Sequence, residues 1–346
     1  MLALAVRASV LRDAYFITDD YMLSSRAMEN DLTFDYLTRV HTGHFEPIGF
    51  AVMWLLAHFA PLSWGWAATF LLAGQVLLSV LVWQLLVELF GHRYRILVPF
   101  TMFCFSPLTL AAFTWLSAGI IWLPLMISMA GMLRFHVRYI RSGRDRDAVI
   151  AMAWFVVGLA AFEKILIFLP FLVAFTVALE LSFGRRLRDV RDLVLRQWRI
   201  WTGYAVLTIL YLGLYVRGSR ASGASVGLEI PKASDLGDFI VQTLGRTFVP
   251  GLMGGPWDWA RQSYGLAVVD SPRFFDWLAW SVFIAFIAGS ILLRRYASAY
   301  WASLVIYLGA SMAIIAVGRV AYLGPVFALE TRYLAYAVIP AVVVVG

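Results

Sequence analysis

Residues 64–90 read WGWAATFLLAGQVLLSVLVWQLLVELF, an apolar run with one charged side chain, Glu88. About 20 apolar residues in a helix cross a hydrocarbon core of about 30 Å, so the run predicts one membrane crossing. Gly91 and the basic residues 92–95 follow it, and an excess of arginine is typical of the cytoplasmic end of a membrane helix. The beginning of the run, and the chain before it, are therefore predicted to lie outside.

The whole chain has the composition of a polytopic helical membrane protein. It is 62% hydrophobic and only 14% charged. Its net charge of +7 comes from arginine clusters between apolar runs, which is the positive-inside pattern rather than a nucleic-acid-binding stripe. The single cysteine, Cys104, excludes an internal disulfide and a cysteine-based metal cluster. We therefore expect a lipid bilayer as partner and no nucleic acid.

Basic clusters at four breaks set the predicted topology, because each segment between two cytoplasmic clusters crosses an even number of times. The clusters are residues 92–95, 134–146, 185–199 and 294–295. Two hairpins are predicted. The first spans residues 96–133 and turns between Ser106 and Ser117. The second spans residues 147–184 and turns at residues 162–164.

The second half of the chain is predicted to cross four more times, the last crossing being cut off midway. Residues 200–217 lead out, residues 218–274 form a long external loop, and residues 275–293 return. Residues 298–317 lead out again, and the last run heads back in. We expect a single transmembrane domain over residues 1–346, truncated within a helix at both ends.

Residues 13–63, the acidic segment, form the predicted first external loop. The segment contains seven carboxylates but only two arginines, Arg26 and Arg39. The carboxylates are Asp13, Asp19, Asp20, Glu29, Asp31, Asp35 and Glu46. Apolar residues recur every four or five positions between Tyr21 and Val40, which predicts a juxtamembrane helix. Residues 48–60 are too short to span, so we predict a second one, entered through Pro47 and stopped by Pro61.

The tandem aspartates Asp19 and Asp20 need an explanation beside a bilayer. One of them can cap the helix that follows, but a cap needs only one oxygen acceptor. The second aspartate favours a catalytic carboxylate held just outside the membrane surface.

The order of these features resembles the GT-C superfamily of membrane glycosyltransferases. The matching residues are Asp19-Asp20-Tyr21, Gly43-His44-Phe45-Glu46-Pro47, the run Trp66–Gly91 with its basic end, Ser106-Pro107, Glu163-Lys164 and Glu330-Thr331-Arg332-Tyr333. Pro47 is followed by Ile48 and Gly49, where members of the superfamily often carry a leucine or a second proline. The resemblance implies an all-α bundle with juxtamembrane helices in the first external loop.

The resemblance also implies an activity and a location. The enzyme would move a sugar from a polyprenyl-phosphate donor to a glycan or glycolipid acceptor of the cell envelope, with inversion. It would lie in the plasma (inner) membrane with its active site on the extracytoplasmic side.

This reaction requires a base and cations, since the phosphate leaves as an anion and the acceptor hydroxyl loses a proton. Asp19 or Asp20 is the candidate base. Lys164, at a predicted external turn, and Arg319 and Arg332, which flank the last external loop, are candidates for the donor phosphate. Lys164 can instead pair with Glu163 or snorkel to the surface, and Arg332 can pair with Glu330 or anchor at the surface.

Further residues are candidates for substrate contacts. His44 and Glu46, with His41, could position the acceptor or hold a divalent metal ion, and surface histidines are also often solvated or capping. Trp257 and Trp259 lie in a glycine-rich part of the external loop, where their rings could stack on a sugar or cover a lipid tail. Packing in the core or at the interface is the other interpretation of the two tryptophans.

Two other classes of function remain open. A transporter or lipid flippase would carry ionisable residues near the bilayer midplane and often inverted repeats, whereas the charges here lie at the ends of the runs and no repeat is visible. A non-catalytic assembly partner would keep the fold and lose the need for the aspartates.

Overall fold

The computed structural model describes residues 2–41, 43–184, 195, 197–221, 229–261 and 267–346, and these residues are mostly helical. Six helices are long and apolar enough to cross a membrane. They are Trp64–Phe90, Leu116–Ser142, Glu163–Ser182, Trp198–Arg220, Arg273–Leu293 and Ala297–Val320. The prediction of a helical membrane protein with several crossings agrees with this architecture.

The helices group into two compact units that alternate along the chain. Unit 1 comprises Met1–Arg93, Ala111–Leu166 and Arg191–Ser225. Unit 2 comprises Tyr94–Leu110, Ile167–Val190 and Val226–Gly346. Each predicted hairpin therefore contributes one arm to each unit.

Unit 1 is built around one buried helix. Its helices and strands are α1 (Leu2–Arg12), α2 (Asp19–Met28), α3 (Phe34–Leu37), β1 (Val40–His41), β2 (His44–Phe45), α4 (Pro47–Phe59), α5 (Trp64–Phe90), α7 (Leu110–Thr114), α8 (Leu116–Ser142), α9 (Asp145–Ala161) and α11 (Trp198–Ala221). Helix α8 packs against α5, α9 and α4, and almost all of its apolar length is buried. Gly131 lets α9 approach α8 closely, because a Cβ there would lie 2.5 Å from the Trp154 ring.

Unit 2 joins two short early segments to the rest of the chain. Its elements are a 3-10 turn (Tyr94–Ile96), α6 (Leu97–Phe105), a 3-10 turn (Pro107–Thr109), α10 (Phe168–Ser182), α12 (Ala233–Gln242), α13 (Val249–Leu252), β3 (Trp259–Arg261), β4 (Ala267–Val269), α14 (Arg273–Leu293), α15 (Ala297–Ile315), α16 (Ala321–Leu323), 3-10 turns (Pro325–Leu329 and Thr331–Ala337) and α17 (Val338–Val345). Helix α10 packs on α15, and α17 packs on α6.

Two π-helical turns interrupt regular helix in unit 2. They span Thr243–Phe248, after α12, and Ala316–Val320, after α15. Both turns contact the 3-10 turn Pro325–Leu329. Each carries one arginine, Arg246 or Arg319.

The helix predicted between Tyr21 and Val40 is wrong as a single element. Helix α2 ends at Met28, where the Asn30 side chain donates to the Arg26 carbonyl at 2.7 Å. A separate short helix, α3, then begins because the Thr33 hydroxyl accepts the Tyr36 N–H at 3.2 Å. Val40 lies in a strand. Local caps therefore divide the periodic pattern.

Other predicted boundaries agree with the structure. Helix α4 begins at Pro47, in the favoured first position, and ends at Phe59. Helix α5 has the limits of the quoted run, and the chain turns at Phe162, as predicted. The first arm of the earlier hairpin is shorter than expected, because the apolar helix there spans only Tyr94–Phe105 and ends before Pro107.

The long loop predicted over residues 218–274 contains secondary structure of its own. Helix α11 extends to Ala221, and α12, α13 and the β3–β4 hairpin follow. Residues 222–228 and 262–266 of this loop lie outside the described residues.

Candidate functional site

The tandem aspartates begin α2, and the structure gives them different environments. Asp20 is buried. Its Oδ1 accepts hydrogen bonds from the Ser117 N–H, at 2.7 Å, and from the Ser117 hydroxyl, and its Oδ2 accepts the Ile17 N–H at 2.9 Å. Burial raises the pKa of Asp20, although the hydrogen bonds from Ser117 and Ile17 act in the opposite direction. Asp20 therefore fastens the beginning of α2 to the beginning of α8.

Asp19, in contrast, is exposed in the same first turn. The residue before it, Thr18, has a φ of +39°, an unfavourable backbone conformation for a β-branched residue. Such conformations are often found at functional sites. Of the two aspartates, Asp19 is therefore the accessible one.

The short hairpin β1–β2 places two histidines opposite each other. Val40 pairs with Phe45, and His41 pairs with His44. The Arg26 guanidinium donates to Nδ1 of His41 at 2.8 Å, which leaves the imidazole proton on Nε2. Burial, and then the charge of Arg26, lower the pKa of His41 to about 4, so this imidazole is neutral at pH 7.

Glu163 binds the second strand of this hairpin. Its Oε1 lies 2.6 Å from Nδ1 of His44, and its Oε2 accepts the Phe45 N–H at 3.4 Å. The His44 ring also meets the Phe162 ring edge to face, at 4.9 Å between centroids. The Tyr215 hydroxyl donates to the Gly43 carbonyl at 2.9 Å. Contacts from the turn after α9 and from α11 thus fix the segment that leads into Glu46.

Glu46 is the residue immediately before α4, with only 3% of its surface exposed. Its side chain does not cap the helix, and its Oε2 is buried without a hydrogen-bond partner. Burial, followed by the charge of Glu163, raises the pKa of Glu46 to about 8. The charge of Asp19 also raises this pKa, and the charge of Arg26 lowers it. Glu46 is therefore mostly neutral at pH 7.

Lys164 is buried against aromatic rings beside this cluster. Its Nζ lies 4.8 Å from the centroid of Trp122 and 5.4 Å from that of Phe162. Cations are attracted to aromatic faces at such distances. The carboxylate of the neighbouring Glu163 is directed to the hairpin.

The two predicted arginines of unit 2 lie near one tyrosine. Nε of Arg332 lies 2.6 Å from Oε2 of Glu330, and its Nη2 donates to the Tyr333 hydroxyl at 3.3 Å. Arg319 is close enough to Tyr333 to act on it electrostatically. The pairing of Arg332 with Glu330, one of the two interpretations of this arginine, is thus present.

The two predicted tryptophans lie in unit 2 and in different settings. Trp257 is 43% exposed, and its ring lies 5.4 Å from that of Phe275. Its backbone N–H donates to the Ser271 hydroxyl at 2.9 Å. Trp259 is partly buried in β3, opposite Val269. Of the two tryptophans, Trp257 is the more exposed.

The metal hypothesis for His41, His44 and Glu46 is not supported. Within the ranges that the structure describes, no three histidine, cysteine, aspartate or glutamate side chains form a group that could hold a metal ion. His41 faces Arg26, and His44 faces Glu163.

Sequence reasoning missed three partners in this cluster. Ser117, Arg26 and Glu163 each bind a residue that the sequence had singled out. The sequence analysis places Glu163 in a predicted turn, beside Lys164, and does not connect it with His44. The sequence carries no local signal for these long-range contacts.

The features above define a helical membrane protein with an ionisable cluster at the beginning of α2 and at the β1–β2 hairpin. Comparisons with protein-family models, with curated proteins and with solved structures gave no match. The assignment of a function therefore depends on the chemistry of the cluster.

Proposed function

We propose that the protein is a GT-C-type glycosyltransferase of the plasma (inner) membrane. It moves a sugar from a polyprenyl-phosphate donor to a glycan or glycolipid acceptor of the cell envelope, on the extracytoplasmic face and with inversion. The observation that carries the proposal is the division of the two aspartates into a buried, hydrogen-bonded Asp20 and an exposed Asp19. That division supplies one carboxylate for chemistry and one that holds it in place.

The proposed reaction makes one bond and breaks one. The acceptor oxygen bonds to the anomeric carbon, while the bond from that carbon to the phosphate oxygen breaks and its electron pair leaves with the polyprenyl phosphate. Asp19 takes the proton of the acceptor hydroxyl. The phosphate leaves as an anion, so its departure requires no general acid.

Cations are needed to hold the donor phosphate. Lys164 belongs to the same unit as Asp19, and its position on Trp122 and Phe162 fixes its side chain. Arg319 and Arg332 are the second candidates, and their proximity to Tyr333 supports a cationic patch in unit 2. An anion at Arg332 would compete with Glu330.

Substrate contacts are proposed for His44, Glu46 and Trp257. His44 and Glu46 belong to the hairpin region, on which the charge of Asp19 acts. Trp257 is 43% exposed, and aromatic rings can stack on sugars. Trp259 is less accessible, so we propose a smaller contribution from it.

Envelope glycans test the proposal directly. A strain that lacks the gene should lose a specific glycan linkage, and the wild-type gene should restore it. Asp19→Asn should fail to restore it at normal expression. Asp13→Asn, which changes another exposed aspartate of the same segment, is the matched control and should restore it. Unchanged glycans in the deletion strain would rule out the glycosyltransferase.

A further inference from the structure

Glu46 stands out because one oxygen of its buried carboxyl group lacks the hydrogen-bond partner that such atoms normally have. Oε2 has no hydrogen-bond partner, and the residue is 3% exposed. An unpaired buried polar atom costs about 1–3 kcal/mol, so native proteins rarely keep one without a reason. The helix that follows offers free N–H groups in its first turn, yet the Glu46 side chain does not bond to them.

Among the residues that the structure describes, none forms an ion pair with Glu46. Glu163 and Asp19 are negative, and both raise the pKa of Glu46. The charge of Arg26 lowers the pKa of Glu46, but the Arg26 guanidinium donates to His41. Burial and, after it, the negative charge of Glu163 favour the neutral acid at pH 7.

A neutral carboxyl combines one O–H donor with a free acceptor oxygen. The natural complement is a group that both donates and accepts, such as an alcohol hydroxyl. A metal ion would need further ligands, and none of the described residues completes such a group.

We propose that Glu46 is a binding residue for a hydroxyl of the carbohydrate substrate, which it holds through the oxygen that has no partner in the protein. This inference rests on the proposed glycosyltransferase function and adds a substrate contact that is distinct from the base. Glu46 is only 3% exposed, so the hydroxyl reaches it through a local rearrangement of the side chains around it. Because the contact is sheltered from water, it also discriminates between substrates with and without that hydroxyl.

Two substitutions distinguish between two roles of Glu46, the binding of a substrate hydroxyl and the transfer of a proton. Glu46→Gln keeps one donor and one acceptor at the same position but cannot take up a proton. Glu46→Leu keeps the volume and removes both hydrogen-bonding functions. In the deletion strain, Glu46→Gln should restore the glycan to within about twofold of wild type, whereas Glu46→Leu should lower it at least about tenfold.

The results for the Glu46 variants can be told apart from a failure of the proposed glycosyltransferase function. Loss of the glycan with Glu46→Gln as well as Glu46→Leu would assign proton transfer to Glu46 and overturn the inference. Full restoration by Glu46→Leu would also overturn it, while the Asp19→Asn result would still stand for the glycosyltransferase. A deletion strain with wild-type glycans would refute both.

A readout other than activity covers the case in which Glu46→Leu fails to fold. The difference infrared spectrum of purified wild type minus Glu46→Gln should contain the carbonyl band of a protonated carboxylic acid at pH 7. That band should disappear as the pH is raised above about 8. An ionised carboxylate at pH 7 would overturn the inference, because it cannot donate to a hydroxyl oxygen.

Discussion

Asp20 and Ser117 are joined by two hydrogen bonds, one from the Ser117 backbone N–H and one from its hydroxyl, across 97 residues of sequence. Replacing Asp20 with alanine leaves the buried Ser117 N–H without its acceptor. We therefore expect Asp20→Ala to destabilise the protein by about 2–4 kcal/mol, measured by unfolding of the purified protein in detergent.

Asp19→Ala is the control for this prediction, because its side chain is exposed and close in sequence. It should leave the free energy of unfolding nearly unchanged. Equal stabilities for the two variants would show that the Asp20 hydrogen bonds contribute little.

The His44–Glu163 contact should be measurable as a coupling energy. A double-mutant cycle with His44→Ala and Glu163→Ala should give about 1 kcal/mol, since both side chains are only about a quarter exposed, at 25% and 24%. The Arg12–Asp13 pair, at 78% and 76% exposed, is the reference cycle and should show no measurable coupling. Indistinguishable couplings in the two cycles would argue against a role for Glu163 in fixing the hairpin.

Glu46 should make stability fall as pH rises. Its pKa is raised from 4.5 to about 8 in the folded protein, so the folded state binds more protons than the unfolded state within that window. The contribution is fully present below pH 4.5 and is lost as pH approaches 8. At about 1.4 kcal/mol per pH unit, the loss is on the order of 5 kcal/mol.

Unfolding of wild type and Glu46→Gln between pH 5 and pH 8.5 measures this effect. The amide does not titrate, so the difference in stability between the two proteins should grow in favour of Glu46→Gln as pH rises. A pH-independent difference would mean that Glu46 is already ionised in the folded protein.

Gly131 should tolerate no side chain, because a Cβ there would meet the Trp154 ring at 2.5–2.8 Å. Gly131→Ala would force α8 and α9 apart or displace the indole, at a cost of about 1–3 kcal/mol. Gly213→Ala is the matched helical control. A Cβ at Gly213 meets nothing within 4 Å, so alanine there should stabilise by up to about 1 kcal/mol. Thermal unfolding of the two variants tests the difference in sign.

The sequence predicts much of the fold because the relevant signals are local. The apolar run defines α5, and Pro47 marks the beginning of α4. The segment from Tyr21 to Val40 is not one helix, because its periodicity continues across two helix ends, which are set by the side chains of Asn30 and Thr33. Caps of this kind outweigh an approximate apolar period.

The candidate site was predictable only in part. The pattern Asp19-Asp20 identifies the segment, but which aspartate is buried depends on Ser117, far away in sequence. His44 was singled out, yet its partner Glu163 lies 119 residues further on. Nothing in the composition near either residue indicates the other, because their contact is made by tertiary packing.

The alternation of the two units along the chain has a consequence for biogenesis. The ribosome delivers every segment of unit 1 by Ser225, whereas α10 must wait for α15, against which it packs. The early-made apolar segments of unit 2 thus stay without their final neighbours while translation continues. In a nascent chain arrested after Ser225, we expect α8 to be better protected from protease than α10. Unit 1 would then reach its final packing before unit 2.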